Sequence, residues 1–390
     1  MSKLILPVIV ISQFCCTSLW FAGNGVMSDL ILNFNLQESA LAHLTASVQF
    51  GFISGTLVFA ILTIADRFSP SKVFLISALL GAVFNLAVIW EGNNITSILV
   101  LRFLTGFFLA GIYPIGMKIA ADHFDKGLGK SLGFLVGALV LGTALPHLLK
   151  DVTNDYPWQY VLILTSSLAV LGGSLIALTI RYKTIKKSNS KPEFTAFFKV
   201  FKNQQFRSAA FGYFGHMWEL YTFWAFVPVI LKTYNITHSS TNLNIPFWSF
   251  IIIGSGGLAC VVSGYIAQKK GAKNTATASL ILSGLCCLLS PFLFQTNSEG
   301  LFIAFLIFWG MVVIADSPML STLVAQNATP EIKGTALTIV NCIGFSITIV
   351  SIQLISMVSE VTNSNNIYAL LCIGPILALL ALRKKKTDVI

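Results

Sequence analysis

Apolar residues run through this chain in stretches of about twenty, separated by short polar breaks. The runs cover roughly 4–27, 41–64, 73–91, 96–120, 130–150 and 159–181 in the first half, and 208–231, 246–267, 275–294, 301–324, 335–358 and 366–382 in the second. About 20 apolar residues in a helix, at 1.5 Å rise each, match the hydrocarbon thickness of a bilayer. The pattern therefore predicts twelve transmembrane helices, six on each side of a central polar segment. A segment inside hydrocarbon must satisfy its own backbone, which favours helix for every run.

The central segment, RYKTIKKSNSKPEFTAFFKVFKNQQFR, carries eight basic residues: Arg181, Lys183, Lys186, Lys187, Lys191, Lys199, Lys202 and Arg207. It divides the chain into an N-terminal bundle (1–181), a basic cytoplasmic linker (182–207) and a C-terminal bundle with a short basic tail (208–390). With the N-terminus inside, 22 of the 25 Lys and Arg fall on the cytoplasmic side. Only Lys150 and Lys232 lie outside, and Arg102 lies within a span. Both termini are then cytoplasmic, in a plasma (bacterial inner) membrane.

Composition agrees with this reading. Hydrophobic residues make up 55% of the chain and charged residues 10%, against about 25% charged in a soluble domain. The net charge of +10 lies between apolar runs and not in an aromatic-interleaved patch, so it indicates topology and no nucleic-acid partner. The first run lacks a small-residue cleavage site and is expected to be a retained helix. All seven Cys lie within apolar runs without metal-ligand spacing, and are read as small buried hydrophobes. No metal or cofactor is expected. P-loop, nucleophile-elbow and HExxH motifs are absent from the sequence, so it supports neither ATP drive nor hydrolysis.

The halves resemble each other. A shift of 204 residues places Gly111-Ile-Tyr-Pro114 on Ala315-Asp-Ser-Pro318 and Trp20 on Trp224. Such internal repeats mark secondary transporters.

Two local motifs extend the comparison. The loop after the second span, Ile64-Ala-Asp66-Arg67-Phe-Ser-Pro-Ser-Lys72, is similar to the Gly-x-Leu-Ala-Asp-Arg-x-Gly-Arg-Arg loop of the major facilitator superfamily. Ala65, Asp66 and Arg67 are retained; Leu62 and Ser69 stand at its Gly positions, and Pro70 and Ser71 replace its basic pair. Arg102-Phe-Leu-Thr-Gly106 in the fourth span is similar to the family's Arg-x-x-x-Gly motif, whose Arg is often implicated in proton coupling. Gly137, Gly142 and Pro146 faintly resemble the Gly-rich motif of drug–proton antiporters, and the short loops resemble the cyanate and nitrate porters. The resemblance implies an all-α membrane protein with two pseudo-symmetric six-helix bundles, whose first, fourth, seventh and tenth spans line a central cavity.

Ionisable groups at membrane depth are costly, and each is a functional candidate. Arg102, His216, Glu219 and Asp316 qualify, with Asn24 as an uncharged companion. All five fall on the spans that the resemblance assigns to the cavity. They form the expected substrate and proton pathway. Glu219 is expected to be the proton-coupling carboxylate, with His216, three residues earlier on the same helix face, tuning it. Asp66, Arg67, Lys118 and Asp122 are expected at a conformational gate, although Lys118 and Asp122 at i, i+4 also suit a surface ion pair. His147 is expected at the interface, and Gln49, Asn85, Asn341 and Gln353 as hydrogen bonds between helices.

The expected function is secondary active transport of a small solute by alternating access, coupled to protons, in a monomer surrounded by membrane lipids. A polytopic membrane enzyme acting on a lipid would gather its ionisable groups at the interface, not at mid-depth. A non-transporting sensor with the same fold shares every feature above except turnover.

Overall fold

A computed structural model describes residues 2–123, 128–180, 201–238, 241–328, 333–362 and 365–383. Most of the basic linker lies outside these residues. The described residues are helical, and the helices follow the apolar runs.

In the first half, the spans after the first are Ala40–Ile61, Pro70–Ala87, Ile95–Leu109 with Tyr113–His123, Leu128–Val152 and Gln159–Thr179. In the second they are Gln204–Thr237, Ile245–Lys270, Ala272–Leu293, Glu299–Ala315 with Ser317–Asn327, and Lys333–Thr362. The last begins as a 3₁₀-helix, Asn365–Cys372, and continues as Ile373–Arg383. Ten helices among the described residues are long and apolar enough to cross a membrane. The seventh span is 34 residues long, but His216, Glu219 and its Tyr and Trp residues lower its mean hydropathy. The first span is broken into Ser2–Thr17, Ala22–Gly25 and Met27–Asn33.

Each break has a local cause. In the tenth span, Pro318 has no N–H to donate and its ring crowds the carbonyl one turn back, so the helix restarts after Asp316. Pro114 stands at the matching place in the fourth span, where the chain turns through residues 110–112. In the first span, the Thr17 hydroxyl donates to Gln13 O at 2.8 Å and the Ser18 hydroxyl to Cys15 O at 2.6 Å. Hydroxyls bonded back onto the preceding turn bend helices, and here the helix opens at residues 18–21.

Packing repeats with a shift of six spans. In the first half, span two packs on four, three on six, one on six and one on five; in the second, eight packs on ten, nine on twelve, seven on twelve and seven on eleven. The halves meet chiefly where span five packs on eight and two on eleven, a pair of contacts that the same shift exchanges. Two six-helix bundles related by a pseudo-two-fold axis account for this pattern.

Close approach depends on glycine at the tightest crossings. Spans two and four touch backbone to backbone: a Cβ at Gly106 would collide with Val48 O, and one at Gly51 with Phe103 O. Between the halves, a Cβ at Gly137 would lie 3.2 Å from Gly257 O. With no water-driven force between helices inside a bilayer, such contact is a main source of their association.

Candidate functional site

Glu219 is the sixteenth residue of its helix, about 22 Å from one end and about 27 Å from the other at 1.5 Å per residue. It is 1% exposed. Three donors from two neighbouring spans hold its carboxylate: Trp309 Nε1 at 2.7 Å and Cys287 Sγ at 3.3 Å on Oε1, and Ser283 Oγ at 3.0 Å on Oε2. The apolar runs gave no sign of this cradle. Cys287, read from the sequence as a plain hydrophobe, is one of its donors.

His216 lies one turn away, yet its contact is with another residue. Its Nδ1 is 2.8 Å from Asp316 Oδ1, both side chains being 1% exposed. The contact has ion-pair distance without hydrogen-bond direction, so both Asp316 oxygens have no hydrogen-bond partner among the described residues, and His216 Nε2 is likewise buried without one. The expected pairing of His216 with Glu219 is therefore replaced by two separate units. Spacing of i, i+3 puts both residues on one face of the seventh span, but the break in the tenth brings Asp316 to the imidazole first.

Arg102 occupies the first bundle and is 1% exposed. Its Nη2 donates to Leu19 O at 3.1 Å and Trp20 O at 2.6 Å, two carbonyls released by the break in the first span. Its Nη1 donates to Asn85 Oδ1 at 3.0 Å. The amide of Asn85 continues to the sixth span, donating to Ser166 Oγ at 2.9 Å and Thr165 Oγ1 at 3.2 Å. The planar fork of Arg suits two adjacent carbonyls. Arg102 thus binds the broken first span to the third, fourth and sixth, and Gly23 leaves it room, since a Cβ there would lie 3.3 Å from Nε.

Between the bundles lies a buried aromatic cluster. Trp20 stacks on Tyr221 with ring centroids 5.8 Å apart and on Phe345 at 5.6 Å, and packs against Phe52 at 4.8 Å. Phe21 meets Trp224 edge-on at 6.3 Å. Asn24 is buried at the rim of the first span, donating to Thr45 Oγ1 at 2.8 Å.

The remaining candidates divide. Lys118 and Asp122 lie 3.7 Å apart and about one-third exposed, as an i, i+4 surface pair does. Arg67 is exposed at the end of a short helix, and the Asp66 side chain lies outside the described residues. His147 is 2% exposed, five residues before the end of the fifth span at Val152, where that span packs against the first and the eighth. Gln353 Nε2 lies 3.4 Å from His43 Nδ1 across the halves. Gln49, expected to bond a neighbouring helix, has neither amide atom paired among the described residues.

At the span ends opposite the N-terminus, polar contacts join the halves. Asn244 Nδ2 donates to Asp151 Oδ1, and Lys232 lies 3.8 Å from Glu38. This end of the interface is closed.

The arrangement has relatives. In curated proteins, a 141-residue stretch, 35% of this chain, is 28% identical to the efflux pump FUB11 of Gibberella moniliformis and 27% identical to the efflux pump FUBT of Fusarium oxysporum. The match spans 23% of the length of either relative. Among solved structures, a mutant of the nucleoside transporter NupG aligns over 98% of this chain and 100% of its own, with a TM-score of 0.75 at 14% identity. A bacterial homolog of the human lysosomal transporter Spinster, inward-facing and unoccupied, aligns over 98% of this chain and 93% of its own, at 0.69 and 13%. At such identities the likeness is one of fold. The model of the Major Facilitator Superfamily matches residues 9–352, and with twelve spans in two pseudo-symmetric bundles, the chain belongs to that superfamily.

Proposed function

We propose that the protein moves a small solute across the membrane by alternating access, driven by protons. Membership of a transporter superfamily supports transport and not catalysis. The observation that carries proton coupling is the pair of buried titratable units at mid-depth of the second bundle, Glu219 in its cradle and His216 with Asp316 at a helix break. A carboxylate there has no solvent to compensate its charge. Glu219 is held by neutral donors, so taking up a proton removes a buried charge and loosens contacts to the ninth and tenth spans. Rocking of the bundles then alternates its access between the two sides.

The charge distribution supports a plasma (bacterial inner) membrane location with both termini cytoplasmic. The division at residues 182–207 gives two bodies that move about a basic linker. The protein is proposed to act as a monomer, since Arg102 and Glu219 find their hydrogen-bond partners within one chain.

The test uses proteoliposomes loaded with a pH-sensitive dye and presented with panels of small solutes. A transported solute should move protons with wild-type protein. Glu219→Gln should abolish that proton movement while solute counterflow continues. Undiminished proton movement with folded Glu219→Gln protein would remove Glu219 from the coupling step.

A further inference from the structure

The aromatic cluster contains polar groups that the packing leaves unused. Trp20 Nε1 and Trp224 Nε1 are buried without a hydrogen-bond partner among the described residues, as are both amide atoms of Gln49. These side chains are 1%, 0% and 0% exposed, respectively. Buried donors are nearly always satisfied, and each exception calls for an explanation, a functional role among them. Of the buried side chains left unpartnered, these three lie in or beside the aromatic cluster. Trp20 and Trp224 occupy positions related by the 204-residue repeat, one in each half. Gln49 lies three residues before Phe52, on the same face of the second span, and Phe52 packs on both Trp20 and Phe345.

The chemistry around these groups is narrow. The ring planes of Trp20 with Tyr221 and of Trp20 with Phe345 lie within 29° of parallel. Each of those contacts joins one half to the other, so parting the halves opens a slot with flat aromatic walls. The buried charges have partners of their own: Arg102 the carbonyls of Leu19 and Trp20, Glu219 the donors Trp309, Ser283 and Cys287, and Asp316 the imidazole of His216. The slot therefore offers stacking faces, two N–H donors on opposite halves, and one amide that both donates and accepts.

Building on the transporter reading above, we propose that the solute is an uncharged, flat heteroaromatic molecule with at least two hydrogen-bond acceptors. It sits between Trp20 and Trp224, with Gln49 reading one edge. Base-sized rings stack well on aromatic side chains, and a site built to hydrogen-bond its ligand rejects analogues that leave its buried groups unpaired.

Thermal unfolding of the full chain in lipid nanodiscs tests this. Four sets of probes are compared at equal concentration: neutral heteroaromatics (adenosine, uridine, caffeine, quinoxaline), neutral sugars, amino acids and small inorganic anions. Binding to the folded state raises Tm. The heteroaromatic set should give the largest shifts, and its strongest member should undergo counterflow in proteoliposomes. Trp20→Phe and Trp224→Phe keep a ring but remove the donor, and each should weaken that compound about three- to tenfold. Gln49→Leu, close in volume, gives a further reading where a Trp variant fails to fold. Absence of any shift with the heteroaromatics overturns the proposal, as does affinity unchanged by all three substitutions. Stabilisation and counterflow by a sugar, amino acid or anion instead would leave transport standing and the proposed substrate class refuted. Absence of binding and exchange in every set would remove both.

Discussion

Replacing Arg102 with Met tests how the broken first span is held. The change removes three hydrogen bonds, to Leu19 O, Trp20 O and Asn85 Oδ1, and leaves those acceptors buried. Hydrogen bonds from a charged donor contribute about 1.5–3 kcal/mol each in soluble proteins. Polar contacts inside membranes average nearer 0.6 kcal/mol, with a maximum of about 1.7 kcal/mol. Removing the buried guanidinium also returns some of its desolvation cost. Three contacts at about 0.6–1.7 kcal/mol each sum to about 2–5 kcal/mol, and the returned desolvation brings the net loss to about 2–4 kcal/mol. Arg102→Lys keeps the charge but cannot span two carbonyls and an amide, so it should fall between wild type and Arg102→Met in stability. It should also slow transport, because the first span bears Trp20 and Asn24. Reversible unfolding by denaturing detergent in mixed micelles measures the loss, and solute counterflow measures the second effect. Wild-type stability in Arg102→Met would refute the view that Arg102 caps this break.

Three further outcomes follow from the same contacts. Asp316→Asn and His216→Phe should each cost about 3–5 kcal/mol, since each strands a buried partner, and the double variant should cost less than their sum; additive losses in an unfolding cycle would show that the two do not interact. Trp309→Phe removes a donor to Glu219 and should cost about 1–3 kcal/mol, an effect that should shrink in the Glu219→Gln background if the 2.7 Å contact carries it. Gly106→Val drives a side chain into the Val48 carbonyl and should lower folded yield or cost about 1–3 kcal/mol, whereas Gly264→Ala, with nothing within 4 Å of its added carbon, should leave stability unchanged.

The sequence carried much of the fold because membrane segments are governed by one strong rule. Hydrocarbon demands about twenty apolar residues and internal hydrogen bonding, and the runs obey. Pro114 and Pro318 gave the repeat, and both stand at helix breaks. The break in the first span was less visible, since only Thr17 and Ser18 signal it and hydroxyl residues are common in spans. The five pathway candidates were legible as polar side chains at depth, and four of them are 1% exposed while Asn24 is 6% exposed. Their partners were not. Helical spacing relates His216 to Glu219 within one span, whereas Asp316, Trp309, Ser283 and Cys287 come from other spans, and no local pattern states which helices will touch. Gln49, Trp20 and Trp224 stood out in the sequence, but their unpaired atoms did not, because an unpaired atom is a property of the packed structure.

Motion of one bundle against the other is the central claim, and a distance between spin labels tests it most directly. Glu38 and Lys232 face each other across the closed end, 3.8 Å apart, with side chains 78% and 52% exposed, so both accept nitroxides without disturbing the core. Pulsed electron resonance on the doubly labelled protein in nanodiscs should show two populations. One should match the closed contact, and the other should be longer by several ångströms and grow as the second bundle is protonated or as Glu219→Gln mimics that state. A single short distance under every condition of pH, solute and Glu219 substitution would contradict alternating access.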